Sequence, residues 1–60
     1  MFINIEYLGI DGQVYIATEE VYEASEAKAF AQAVMDFEAS FAGVAHILSV
    51  KNVTLGADRN

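Results

Sequence analysis

The chain has 60 residues, of which 55% are hydrophobic, and carries a formal net charge of −6 from nine acidic and three basic residues. A chain of this length forms one small domain that buries only about 60% of its surface, and its hydrophobic content excludes a disordered protein. The negative charge repels phosphate, which argues against direct nucleic-acid binding and favours a protein partner with a basic surface.

Cysteine is absent, which excludes a disulfide framework and a cysteine zinc site. The chain does not open with a basic segment followed by an apolar one, so we expect no secretory signal. Nor does it contain a run of about 20 apolar residues, the length that a membrane span needs. We therefore expect a cytoplasmic protein without membrane association.

Residues 2–8 and 14–18 alternate between two kinds of side chain, as β-strands do. Asp11-Gly12 lies between them and is typical of a two-residue hairpin turn. In that register Tyr7 faces Ile16. The face expected under a helix holds Ile3, Ile5, Tyr7, Val14, Ile16 and Thr18. The opposite face holds Phe2, Asn4, Glu6, Leu8, Tyr15, Ala17 and Glu19.

Residues 25–43 carry apolar side chains at spacings of three and four, which predicts one amphipathic helix. Ser25 is expected to cap its first turn, and Gly43 is expected to end it in a left-handed conformation. The predicted buried stripe consists of Ala27, Phe30, Val34, Phe37 and Phe41, widened by Ala31 and Met35.

Residues 44–55 are rich in valine, isoleucine and leucine, which predicts a third strand. Its orientation stays open between two sets of inward side chains: His46, Leu48 and Val50, or Ala45, Ile47 and Ser49. The phase changes near Lys51 and Asn52, which predicts a bulge or a turn into a short fourth strand. Residues 56–60 are expected to form a flexible tail beyond a domain of residues 1–55.

The predicted fold is α+β with the order ββαβ, a mainly antiparallel three-stranded sheet of order 2-1-3 and one helix on one face. One helix cannot cover both faces of a sheet. The uncovered face should therefore present an apolar interface to a partner or a second copy. The residues predicted for this interface are Phe2, Leu8, Tyr15 and Ala17.

The residues suggest no catalytic centre. His46 is the sole histidine, and Gly9 and Gly12 belong to the hairpin rather than to a phosphate-binding loop. We therefore expect no catalytic residue, no metal and no cofactor. An enzyme would require an oligomer that builds a cleft around His46 from two chains.

The most acidic stretch joins the hairpin to the helix and contains Glu19, Glu20, Glu23 and Glu26. These glutamates lack the spacing of a calcium-binding loop. Two interpretations remain open. The stretch either keeps a small hydrophobic protein soluble, or it docks on a basic groove and imitates the charge pattern of nucleic acid.

A hairpin at Asp11-Gly12, a strand Val14-Tyr15-Ile16-Ala17, a helix start at Ala24-Ser25-Glu26-Ala27 and a last strand from Val44 follow one another. In architecture and charge this arrangement resembles small bacteriophage or prophage proteins that inhibit host RNA polymerase, and several anti-CRISPR proteins. The resemblance implies a non-catalytic inhibitor that blocks a basic surface of host machinery in the host cytoplasm. The alternative is a structural module that forms a homodimer or larger homo-oligomer through the uncovered sheet face.

Overall fold

The structure is a computed structural model that describes residues 1–54. It contains strands β1 (Phe2–Gly9) and β2 (Val14–Glu20), helix α1 (Glu26–Ser40) and strand β3 (Val44–Asn52). The strands form one sheet of order β2-β1-β3, in which central β1 runs antiparallel to both neighbours. The predicted α+β fold and strand order are confirmed.

Residues 1–54 hold three strands and no fourth, while Leu55 and the predicted tail at 56–60 lie outside the described residues. Within the described part, α1 is too short and too polar to cross a membrane.

The hairpin turn is one residue longer than predicted. The backbone N–H of Gly12 donates to the carbonyl of Gly9 at 3.0 Å, and the N–H of Gly9 donates to the carbonyl of Gln13 at 2.8 Å. Gly12 has φ +83°, whereas Asp11 stays outside the left-handed region. A turn followed by one left-handed glycine makes a three-residue loop rather than a two-residue one. Tyr7 therefore pairs with Tyr15, and the predicted register was wrong.

A slip of one residue exchanges the two faces of a strand. Ala17, predicted on the uncovered face, is buried beneath the helix with 8% of its surface exposed. Tyr15 lies on the same side and stacks against Tyr7 with the ring centroids 5.5 Å apart. The prediction that these two residues form part of the uncovered interface was wrong. Val14 and Ile16 occupy that face instead.

Helix α1 begins as predicted and ends early. The Ser25 hydroxyl accepts from the backbone N–H of Lys28 at 3.4 Å, so Ser25 is the N-cap. The helix ends at Ser40, with Phe41 in an extended conformation as the C-cap. Gly43 has the predicted positive φ of +78°, but it precedes β3 and accepts from the N–H of Ile10 at 2.8 Å through its carbonyl.

The buried face of α1 is rotated from the predicted stripe towards the alanines. Ala29, Ala33 and Phe37 have no exposed surface, whereas Met35 is 64% and Phe41 42% exposed. Small side chains at the centre of the contact let the helix backbone approach the sheet closely, as interior packing density requires. The core consists of Ile3, Ile5, Ala17, Val21, Ala29, Ala33 and Phe37.

Strand β3 follows neither predicted alternation. Its pairing with β1 shifts at two places, between the partners of Glu6 and Tyr7 and between those of Leu8 and Gly9. Each extra residue changes which side chains face the helix. As a result Val44, Ile47 and Val50, at intervals of three, pack against the core.

Candidate functional site

One face of the sheet lies opposite α1 and is not covered by any element of residues 1–54. We call this surface the open face; β1 and β2 contribute Phe2, Asn4, Glu6, Leu8, Val14, Ile16, Thr18 and Glu20. Ile16 is 63% exposed, Val14 56% and Phe2 44%. Large apolar side chains grouped on a surface are typical of an interaction site.

A polar pair divides the open face. The Thr18 hydroxyl donates to Asn4 Oδ1 at 2.7 Å across the two strands. This pair separates Phe2 from the hairpin end, where Leu8 faces Val14. The apolar surface therefore has its larger part at the hairpin end, and Phe2 forms a separate smaller part.

The backbone of β2 is open along its outer side. Met1 and Val21 exchange two hydrogen bonds, of 2.7 and 2.8 Å, and Gly9 bonds to Gln13. Hydrogen-bonded and non-bonded pairs alternate in an antiparallel ladder, so the odd-numbered residues of β2 bond to β1. The even-numbered residues direct their N–H and C=O groups away from the sheet. We call this row, which consists of Val14, Ile16, Thr18 and Glu20, the outer edge.

The other edge of the sheet is protected. Its strand, β3, has two pairing irregularities and carries Lys51, and bulges and lysines are devices that discourage a further strand from adding. β2 by contrast pairs with β1 in one unbroken register from Val14 to Glu20. The outer edge is thus the more regularly paired of the two.

The four predicted partner-binding glutamates do not form one flat surface. Glu19 pairs with Ile3 and so lies on the helix side of the sheet, whereas Glu20 pairs with Phe2 and lies on the open face. Glu23 lies between β2 and α1, and Glu26 is the first residue of α1. The glutamates surround the end of β2 and the start of the helix.

The hydrogen-bonded carboxylates of the described residues take neutral donors. Asn52 Nδ2 donates to Glu26 at 2.9 Å, Gln32 Nε2 donates to Asp36 at 2.8 Å, and the Ser49 hydroxyl lies 3.5 Å from Glu6 Oε1. A neutral donor orients a carboxylate but does not cancel its charge. The net charge of −6 therefore acts on the surroundings of the protein.

Asp11 accepts two hydrogen bonds in the hairpin turn that precedes β2. Its carboxylate accepts from the Tyr15 hydroxyl, and from the backbone N–H of Gln13 at 3.0 Å. The bond from Tyr15 is the larger cause that holds the pKa of Asp11 below its usual value, followed by the bond from Gln13. The same carboxylate raises the pKa of Tyr15, mainly through this hydrogen bond.

We expect the Asp11–Tyr15 hydrogen bond to stabilise the fold at intermediate pH and to lose this contribution at both low and high pH. A lowered Asp11 pKa stabilises the fold above the usual aspartate value of about 3.9, and this contribution is lost as the pH falls through the folded-state pKa. A raised Tyr15 pKa stabilises the fold below the usual tyrosine value of about 10, and this contribution is lost as the pH rises through the folded-state pKa.

Urea unfolding of the unmodified protein and of Asp11→Asn measures this effect. The difference in unfolding free energy should be largest between the two pKa values and should shrink towards both extremes. A difference that stays constant from acid to alkaline pH would contradict the assignment of the Asp11–Tyr15 pair.

A shallow groove of about 500 Å³ lies beside the end of α1 and the start of β3. Phe37 and Phe41 line it, with their ring centroids 4.8 Å apart, and its ionisable lining residues are Glu38 and His46. Within residues 1–54, histidine and carboxylate side chains do not come together in threes around a point that could hold a metal ion.

Comparison with protein-family models, with curated proteins and with solved structures finds no match to this chain.

Proposed function

We propose that the protein is a non-catalytic, acidic protein-binding module that inhibits host machinery by occupying a basic, nucleic-acid-binding surface. A phage-type inhibitor of RNA polymerase or of a CRISPR complex is the form of this function that the resemblance favours. The observation that carries the proposal is the net charge of −6, together with the neutral donors that Glu6, Glu26 and Asp36 have within residues 1–54. Such carboxylates offer acceptors to arginine and lysine side chains that otherwise hold phosphates.

The open face supplies the second requirement of a binding module. Specific interfaces combine an apolar centre with a polar rim. Val14 and Ile16 provide exposed apolar surface, while Glu6 and Glu20 lie on the same face. Charge would steer the encounter with a basic partner, and the apolar residues would slow dissociation.

The same exposed residues favour a second candidate function. In a structural module, Phe2, Leu8, Val14 and Ile16 of two copies would pack together as a homo-oligomer. Glu6 and Glu20 lie on that surface and would bring like charges together, which opposes this arrangement. Light scattering separates the candidates, since the inhibitor should be monomeric and the module a discrete oligomer.

A competition assay tests the inhibitor proposal. Labelled DNA is bound to bacterial RNA polymerase, and labelled target DNA to a guide-loaded CRISPR complex, and the protein is then titrated into each. We expect release of nucleic acid from at least one complex, and the effect should weaken as salt rises from about 50 to about 200 mM. Failure to release nucleic acid from either complex at low salt would contradict the proposal.

Charge-reversal variants locate the acidic contact. Glu20→Lys changes an exposed residue that belongs both to the open face and to the four predicted partner-binding glutamates. Glu38→Lys makes the same change at an exposed residue of the helix. We expect Glu20→Lys to weaken competition about tenfold and Glu38→Lys to have a much smaller effect. Equal effects of the two variants would show that only net charge matters.

A further inference from the structure

We propose that the outer edge of β2 receives an extended segment of the partner as a fourth strand, and that this segment has an apolar centre with basic residues at both ends. The inference rests on the proposed function, because it specifies how a basic partner is held. Strand addition to an exposed sheet edge is a general mode of peptide recognition, in which the main chain provides affinity and alternate side chains provide specificity.

The backbone geometry supports strand addition at β2. Val14, Ile16 and Thr18 present N–H and C=O groups outward at the regular spacing of alternate residues. The register to β1 is unbroken along this length, so the outward groups recur at every second residue, as pairing with an incoming strand requires. β3 has lost this regularity at its two pairing shifts.

The side chains of β2 suit an apolar strand. Val14 and Ile16 are β-branched and exposed on the open face, and β-branched residues in neighbouring strands pair favourably across a sheet. On the helix side, Tyr15 is 42% exposed, whereas Ala17 is buried in the core. An incoming strand would therefore meet apolar surface on both sides of its own backbone.

Acidic residues lie at both ends of this row. Asp11 lies at the hairpin end, and Glu19 and Glu20 lie at the other. A segment with lysine or arginine at each end complements this arrangement. A second copy of β2 does not, because an antiparallel copy would place Glu20 near the hairpin end that carries Asp11, and a parallel copy would place Glu20 beside Glu20. We therefore infer a basic partner segment rather than a second copy.

A short synthetic peptide of alternating valine and threonine, with lysines at both ends, tests this inference. Hydrogen exchange of the protein amides is followed by NMR with and without the peptide. In the free protein the amides of Tyr15, Ala17 and Glu19 should already be protected by β1. On binding, new protection should appear at Ile16 and Thr18. The same peptide with glutamates in place of the lysines is the matched control and should produce no protection.

A proline variant tests the backbone contact. The N–H of Ile16 points away from β1, so Ile16→Pro removes an outer-edge donor without breaking the ladder, as proline does on natural edge strands. Ile16→Thr keeps the N–H and is the control for the lost side chain. We expect Ile16→Pro to weaken peptide binding about tenfold relative to Ile16→Thr, with both variants folded by circular dichroism.

Equal peptide affinity of the two folded variants, or new protection confined to residues outside β2, would overturn the inference. If Ile16→Pro does not fold, Thr18→Pro removes the next outer-edge N–H, and Thr18→Val, which keeps that N–H, is its control. Failure of the peptide experiments with intact competition for nucleic acid would reject strand addition and leave the proposed function standing.

Discussion

Phe37→Ala is expected to remove most of the stability of this protein. Phe37 has no exposed surface and is the largest fully buried side chain. Replacing a buried phenylalanine by alanine costs about 3–5 kcal/mol, because apolar burial is lost and a cavity remains. A domain of this length is stable by only about 3–9 kcal/mol at 0.05–0.15 kcal/mol per residue. Urea unfolding followed by circular dichroism should show a variant that is largely unfolded.

Phe41→Ala is the matched control. Its ring stacks on Phe37 with a centroid distance of 4.8 Å, but it follows the helix and is 42% exposed. We expect this variant to lose about 1 kcal/mol, near the average cost of a single substitution. The helical periodicity places the two phenylalanines on one stripe, so equal losses would contradict the rotation of α1 found in the structure.

Ala33→Leu is expected to destabilise the fold strongly, and Ala31→Leu hardly at all. Ala33 has no exposed surface where α1 meets the sheet, so a larger side chain would force the helix away from Ile3 and Ile5 at a cost of about 1–3 kcal/mol or more. Ala31 is exposed, and leucine is nearly as favourable as alanine within a helix. The midpoints of urea unfolding of the two variants measure this difference.

A more stable Ala33→Leu variant would mean that space remains between helix and sheet. Equal destabilisation by both substitutions would place Ala31 in the core and restore the stripe predicted from periodicity. Either result would change which residues of α1 are free to contact a partner.

The order of strands and helix could be predicted because each depends on neighbouring residues. Residues 2–8 and 14–18 alternate on either side of a turn, and Ser25 offers a helix cap. The sheet order then follows from short connections and the usual handedness. None of these steps depends on how tightly the elements pack.

The faces of the hairpin could not be predicted, because Asp11-Gly12 suits two kinds of turn. A two-residue turn needs a positive φ at both residues, whereas a three-residue loop that ends in glycine needs it at Gly12 alone. The second arrangement spares Asp11 a left-handed conformation and lets its carboxylate bond to Tyr15 and Gln13. That preference depends on cross-strand contacts, which the spacing of residues does not reveal.

The buried face of the helix was predicted wrongly because large apolar side chains were expected at its centre, where the structure has alanines. The periodicity places the phenylalanines and Val34 at the centre of the stripe, whereas Ala29 and Ala33 are fully buried and Phe41 is 42% exposed. Phe30 and Val34 pack at the side of the contact. The bulge predicted near Lys51 and Asn52 was placed wrongly, since the pairing of β3 shifts at Leu48 and at Ala45 instead. These positions depend on how the backbone of β3 fits β1, which the sequence does not reveal. The open face therefore holds Phe2 and Leu8, as predicted, and Val14 and Ile16 rather than Tyr15 and Ala17.

The register between β1 and β2 decides which side chains form the open face, and the NMR contacts between the Hα protons of the two strands measure it most directly. Non-hydrogen-bonded pairs of an antiparallel ladder bring their Cα atoms to about 4.5 Å, so their Hα protons give strong cross-peaks. We expect such cross-peaks between Glu6 and Ile16 and between Asn4 and Thr18. Cross-peaks between Tyr7 and Ile16 in their place would establish the two-residue turn, return Tyr15 and Ala17 to the open face, and contradict the apolar surface of Val14 and Ile16 on which the proposals depend.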